Sequence, residues 1–174
     1  CKIIFMAMDF LNCPQDRRHS LVQDVEKVFC RDCNVSYRLE GGKVIFTEYP
    51  KDAFVREMIG QEKYTRWRRN NLRFYEKHLG DVPKDKVLVD IGAGPTDFRS
   101  LLFTFKKYIG VDFYPYECVS VVTDITTGLP LRDSCCDIVF MSNTLEHIPY
   151  PRPLLEECFR ILKPGGMIIG TVPF

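Results

Sequence analysis

Val87-Leu88-Val89-Asp90-Ile91-Gly92-Ala93-Gly94-Pro95-Thr96-Asp97 is a short apolar run that ends in a glycine-containing turn and an acidic residue. Such a run, bounded by turn residues and followed by a helical pattern, reads as a buried parallel strand feeding a helix. Strand and helix then alternate. A helix is expected over 97–107 and a second strand at Tyr108-Ile109-Gly110-Val111-Asp112. A third strand runs over 119–123 and a fourth over Cys136-Asp137-Ile138-Val139-Phe140-Met141. A helix over 153–162 stops at Lys163-Pro164-Gly165-Gly166, and a fifth strand covers 167–172. Apolar strands alternating with helices mean a parallel sheet covered on both faces and built from right-handed crossovers. The fold class is therefore α/β, with a Rossmann-like, mostly parallel sheet of about five strands.

In such a sheet the ligand sits at the carboxyl end of the first strand, where Gly92 permits a tight turn and Gly94 a close approach. A dinucleotide fingerprint would place a third glycine where Asp97 stands, and Asp90 lies just before the turn. Two carboxylates would repel a pyrophosphate. They suit a ligand that carries positive charge and no phosphate. Asp112, closing the second strand, is placed to accept both hydroxyls of a ribose.

The surrounding segments extend this reading. Gly110-Val111-Asp112, Asp124-Ile125-Thr126-Thr127-Gly128-Leu129-Pro130-Leu131, Cys136-Asp137-Ile138-Val139-Phe140, Leu145-Glu146-His147-Ile148 and Leu162-Lys163-Pro164-Gly165-Gly166 follow the glycine turn in order. Together they resemble the class I S-adenosylmethionine-dependent methyltransferases, most closely the type 11 subgroup, over about residues 86–174. The resemblance implies S-adenosylmethionine as cofactor. It places Asp90, Gly92 and Gly94 along the methionine half, Asp112 with neighbouring Phe113 at the ribose, and Asp124 with Ile125 at the adenine. Asn143 would border the cofactor and the acceptor entrance. Thr96 departs from the family, many members of which have a third glycine there. The family's sheet usually has seven strands, whereas this sequence stops at the fifth, so the domain is expected to be truncated. An edge left there would be covered by a further carboxyl-terminal segment, by a partner or by the amino-terminal region.

Methyl transfer needs alignment of the acceptor, and a base only where the acceptor must lose a proton. His147, in the loop after the fourth strand, is the candidate base; packing within its loop is the alternative. Glu146 beside it serves equally as a helix-start acid. The acceptor is expected to be a small molecule, a lipid or a sugar. An RNA base, or no catalysis at all, is the competing possibility.

The amino-terminal third differs in kind. Eight cysteines fall in 174 residues, and Cys13, Cys30 and Cys33 lie together with Asp16 and His19. Cys30-x-x-Cys33 fits one half of a tetrahedral zinc site. Cys13 is followed by Asp16 where a second cysteine would complete the other half. The stretch is similar to the zinc-ribbon-like module found as a methyltransferase activator and as an extension of some methyltransferases. Zinc held by Cys13, Cys30, Cys33 and either Asp16 or His19 is one expectation, and a metal-free mini-core is the other. The organisation read from the chain is a module over 1–50, a helical linker or lid over 51–85, and the cofactor domain over 86–174. The basic residues of the linker, Arg66, Arg68, Arg69 and Arg73 among them, form a solvated face, a lid with Tyr64 or Trp67, or a weaker nucleic-acid contact.

Net charge is +1, which gives no electrostatic reason for wholesale nucleic-acid or membrane binding. No apolar run has the length of a membrane span, and the opening residues lack the pattern of a signal peptide. Cys1 in first place is read as a trimmed or mid-frame start. The cytoplasm, where thiols stay reduced, is the expected compartment.

Overall fold

A computed structural model describes residues 8–50, 65–95 and 98–173. Four short strands come first: β1 (Val22–Gln23), β2 (Lys27–Cys30), β3 (Val35–Glu40) and β4 (Lys43–Ile45). Helix α1 (Arg66–Leu79) precedes β5 (Val87–Ile91), which carries the stretch quoted above. Then follow α2 (Arg99–Leu102), β6 (Lys107–Asp112), β7 (Val119–Val122), β8 (Cys136–Ser142), α3 (Pro151–Ile161) and β9 (Leu162–Thr171). The order across the sheet is β1-β2-β3-β4-β7-β6-β5-β8-β9. Strands β7, β6, β5, β8 and β9 are parallel, in the Rossmann-like arrangement expected.

β4 extends this sheet instead of starting another, pairing in parallel with β7 through Val44 opposite Val121 and Ile45 opposite Val122. The amino-terminal strands therefore lie beyond β7. They do not border β9, which ends the sheet on the opposite side, and the expectation that this module shields the fifth parallel strand is corrected. The edge it covers is that of the third.

Side-chain parity along β5 divides the core. Val87, Val89 and Ile91 face α3 through Leu154, Cys158 and Ile161. Leu88 faces α1 and α2, against Tyr75, Leu79 and Leu102. Leu11, Leu21, Val28 and Val44 join the α3-side core, so burial runs without a break from the cysteine-bearing strands into the parallel sheet. Cys135, Cys136 and Cys158 are buried in the same layer, as small apolar side chains.

Two expected helices differ. α2 spans four residues and not the expected eleven or so. Thr104 Oγ1 donates back to Leu101 O at 2.6 Å, and Lys106 N donates to Lys84 O at 2.8 Å. The chain is thus drawn to the base of the sheet before a second turn forms. α3 starts at Pro151, where a proline is free to occupy the first turn. It runs straight into β9. The Lys163–Gly166 stretch is a bulge in that strand, with Gly165 at φ +79°. Pairing passes from Cys136–Leu162 to Ile138–Met167.

α1 lies over the carboxyl ends of β8 and β9. Thr65 caps it by accepting from Arg68 N at 3.2 Å. The Tyr75 hydroxyl meets Ser142 Oγ at 3.0 Å and Thr171 Oγ1 at 2.6 Å, while Asn71 Nδ2 donates to Thr171 Oγ1 at 3.3 Å. Trp67 is partly exposed, and Tyr64 lies outside the described residues. Tyr75→Phe removes both hydroxyl contacts from a fully buried ring and is expected to lower stability by about 1–2 kcal/mol, read from urea unfolding.

Candidate functional site

Gly92, Ala93 and Gly94 leave the end of β5 with every backbone N–H turned inward. Gly92 N and Ala93 N both donate to Val111 O, at 2.8 and 3.1 Å. Gly94 N donates to Asp112 Oδ2 at 2.9 Å, and Pro95 has no N–H. A pyrophosphate on a helix-opening turn relies on those donors. Here they are committed to β6.

The two glycines serve different ends. Gly92 has φ +71°, and a Cβ there would lie 2.6 Å from Thr144 Oγ1, whose hydroxyl donates to Ile91 O at 3.0 Å. It therefore admits a neighbouring side chain. Among the described residues, Gly94, at φ +53°, has only Gly92 O within 4.0 Å of an added Cβ. That turn is open on its outer side.

A cavity of about 120 Å³ lies there, lined by Asp90, Gly94, Phe98, Phe140, Ser142 and Asn143 among others. Tyr75 packs edge-on against Phe98 and Phe140 with centroids 4.9 and 4.6 Å away. Asp90 is 2% exposed. Burial pushes its carboxyl up to about 7, only partly opposed by the Tyr108 hydroxyl, which donates to Oδ2 at 2.7 Å; the nearby Asp112 adds to the rise. A cation in the cavity would relieve that strain, and a phosphate would worsen it.

Asp112 is braced from both sides, since Oδ1 accepts from Tyr114 N at 2.9 Å while Oδ2 holds Gly94 N. Each oxygen keeps a second lone pair for a ligand. Burial also raises its carboxyl. Phe113 follows it, half-buried. Asp124 is half-buried; its Oδ1 accepts from Thr126 N and Thr126 Oγ1 at 2.9 and 2.6 Å. Ile125 packs on the α3-side core. Asn143 lies just past β8 at φ +56°, its N–H donating to Thr171 O at 2.9 Å. His147 and Glu146 are exposed on a short 3₁₀ turn, Leu145–His147, and are not among the lining residues of the cavity. Thr96 and Asp97 lie outside the described residues.

The amino-terminal ligand set comes together as well. The sulfurs of Cys13, Cys30 and Cys33 lie within 4.8 Å of one another, and Asp16, His19 and Cys33 form a second such group.

Sequence reasoning missed several groups that shape this site. Tyr108 stands opposite Leu88 in the parallel register, which places it on the Asp90 face. Strand parity can find it once the pairing is assumed. Thr47 Oγ1 accepts from Asp124 N at 3.1 Å, and Lys43 Nζ donates to Tyr116 O and Val119 O, both at 2.9 Å. These two residues reach from β4 and the loop after it, and no local pattern announces them.

Residues 89–170 match the methyltransferase domain family. That stretch, just under half of the chain, is similar to class I, S-adenosylmethionine-dependent methyltransferases. Among its relatives is a methyltransferase of Mycobacteroides abscessus, 34% identical over 110 residues, covering 55% of this chain and 42% of the relative. Another, from Mycobacterium leprae, is 31% identical over 102 residues, covering 52% and 38%. The match thus spans about two fifths of each relative. The YcgJ protein of Bacillus subtilis shares the fold, with a TM-score of 0.51 at 21% identity over 59% of this chain and 50% of that one.

Asp90 makes stability pH-dependent in a predictable sense. Its carboxyl, near 4 when unfolded, titrates at about 7 in the fold. The folded state therefore holds the proton more tightly. That stabilisation is complete below about pH 4 and is lost as pH rises through about 7. Without cofactor, wild type should lose roughly 2–4 kcal/mol relative to Asp90→Asn between pH 5 and 8. Parallel stability curves in urea for the two proteins would contradict this.

Proposed function

We propose that this chain transfers the methyl group of S-adenosylmethionine to a small-molecule, lipid or sugar acceptor. The observation that supports it best is the pairing of a buried Asp90 with a turn whose N–H groups all face inward. Such a site favours an ammonium-bearing, phosphate-free ligand. When bound, the cofactor supplies a methyl group already activated by its sulfonium.

In this reading Asp90 and the open side of Gly94 take the methionine end, Asp112 and Phe113 the ribose, and Asp124 with Ile125 the adenine. Gly92 shapes the turn. Asn143 borders the acceptor side. The chain's task is alignment. Where the acceptor must lose a proton, His147, exposed on its turn, is the group proposed to take it.

The division into a module over 1–50, a helical segment over 51–85 and the cofactor domain over 86–174 is part of the same proposal, as is a cytoplasmic setting. No described helix is long and apolar enough to cross a membrane.

Calorimetry with S-adenosylmethionine tests this reading. Asp112→Ala should weaken binding by about 1–3 kcal/mol, the worth of a charge-assisted hydrogen-bond pair. Affinity should also rise with pH between 6 and 8, since Asp90 must shed its proton to face a cation, and Asp90→Asn should flatten that rise. Tritiated methyl transfer into small-molecule, lipid and RNA fractions then identifies the acceptor, and label in RNA alone would overturn the acceptor class named here.

A further inference from the structure

Cys13, Cys30 and Cys33 come from two separate places. Cys30 ends β2, and Cys33 lies in the turn before β3, where its N–H points to Cys30 Sγ at 3.4 Å. Cys13 arrives from the loop before β1, in a turn closed by Cys13 N to His19 O at 2.8 Å and Arg17 N to Cys13 O at 2.7 Å. All three are free thiols, and the first two are buried.

Asp16, on that same turn, is already oriented toward them. Its Oδ1 accepts from Arg18 N and His19 N at 3.0 and 3.3 Å. Its Oδ2 lies 3.1 Å from Cys33 Sγ and also contacts His19 Nδ1. One thiol of the three-sulfur cluster and an imidazole thus converge on one carboxylate oxygen. A tetrahedral zinc ion with bonds of about 2.3 Å to sulfur and about 2.0 Å to oxygen sets its ligand atoms roughly 3.5–3.8 Å apart. The three sulfurs lie within 4.8 Å of one another, so that closing on an ion takes a shift of no more than about an ångström, and Asp16 Oδ2 lies 3.1 Å from Cys33 Sγ.

We propose that Cys13, Cys30, Cys33 and Asp16 bind one zinc-type divalent ion, and that this ion fixes the adjoining Arg17 against the loop after β7. Three thiolates favour such a metal over magnesium or calcium. Asp16 is the fourth ligand ahead of His19 because its Oδ2 lies 3.1 Å from Cys33 Sγ, whereas the His19 nitrogens share only the looser 4.8 Å groupings with Cys33 and with Cys30. His19 stands behind it, orienting the carboxylate.

The link to the parallel sheet is short. Arg17 follows Asp16 directly and holds φ +59°, a conformation uncommon for a residue with a side chain. Its carbonyl accepts from Asn12 Nδ2 at 2.8 Å. From there its guanidinium donates to Thr127 O at 3.3 Å and to Glu157 Oε1 at 3.1 Å. Gly128 leaves the space for it, since a Cβ there would lie 2.5 Å from Arg17 Nη2. Glu157 Oε2 accepts from Leu129 N at 2.9 Å, and Arg160 closes the group at 2.8 Å. The metal turn and the loop carrying Asp124 therefore share one arginine.

The test uses the full chain without cofactor, so that its outcome is separate from the methyl-transfer reading. Elemental analysis after growth in zinc is expected to give one zinc per chain, and cobalt reconstitution to give the intense visible bands of a tetrahedral thiolate site. In competition with a chelating dye, Asp16→Ala should weaken zinc binding more than about 100-fold, and His19→Ala by about 10–100-fold. Arg17→Ala should keep its zinc. Its amides at Thr127 and Leu129 should exchange as fast as those of wild type stripped by a chelator. Absence of stoichiometric zinc overturns the site. A larger loss in His19→Ala than in Asp16→Ala overturns the ligand assignment. Exchange at 127 and 129 that ignores zinc overturns the coupling.

Discussion

The Gly94 amide donates to Asp112 Oδ2, and the carboxyl edge of the sheet is organised around that bond. It ties the turn after β5 to the end of β6, and with the two bonds to Val111 O it withdraws the turn's donors from solvent. What remains facing outward is the glycine surface itself and a buried carboxylate. The same scaffold, with those amides free, would be a phosphate cradle. Ligand choice on this fold thus follows from which way three N–H groups point, and Asp112 decides that for the last of them.

Asp90 is the consequence of placing an acid in the central strand of a sheet buried on both faces. Water cannot solvate it, and one phenol cannot balance a full charge in that environment. The protein tolerates this because the group can stay protonated until a cation arrives. The aromatic wall of Phe98 and Phe140, backed by Tyr75, keeps the surroundings apolar, which sustains the penalty and makes a positive ligand worth more there than in water. α1 is part of this arrangement through Tyr75, so the segment read as a linker supports two lining residues of the cavity from behind.

The parallel strands were legible from the sequence because each is a short apolar run, and a strand buried on both faces has no other way to read. Asp90, Gly92, Gly94 and Asn143 were legible because they occupy fixed places at strand ends, and the structure brings them to one cavity. His147 was singled out by residue type and by its place after the fourth strand, and the structure leaves it exposed and outside the lining. The length of α2 was not legible, because Thr104 and Lys84 end it through contacts that no helical periodicity encodes. Nor was the role of Gly92, which is set by Thr144, a residue distant in sequence.

Joining the amino-terminal strands to β7 settles one edge of the parallel sheet and creates a demand at the other face of the joint. An open edge is a template for unwanted pairing, and β4 closes it with few residues. Two parallel pairs are a slender attachment. Reinforcement comes from polar side chains that reach across: Lys43 onto the carbonyls of Tyr116 and Val119, Thr47 onto the Asp124 amide, and Arg17 onto Thr127 and Glu157. Each makes at least one contact with a loop that follows β6 or β7. Those are the two strands whose ends carry Asp112 and Asp124, so the small strands reach the carboxyl edge of the sheet without lining the cavity at Asp90. These bonds add direction to the continuous apolar core that already joins the two parts. A hydrogen bond to a loop carbonyl fixes its orientation, whereas buried surface fixes only its proximity.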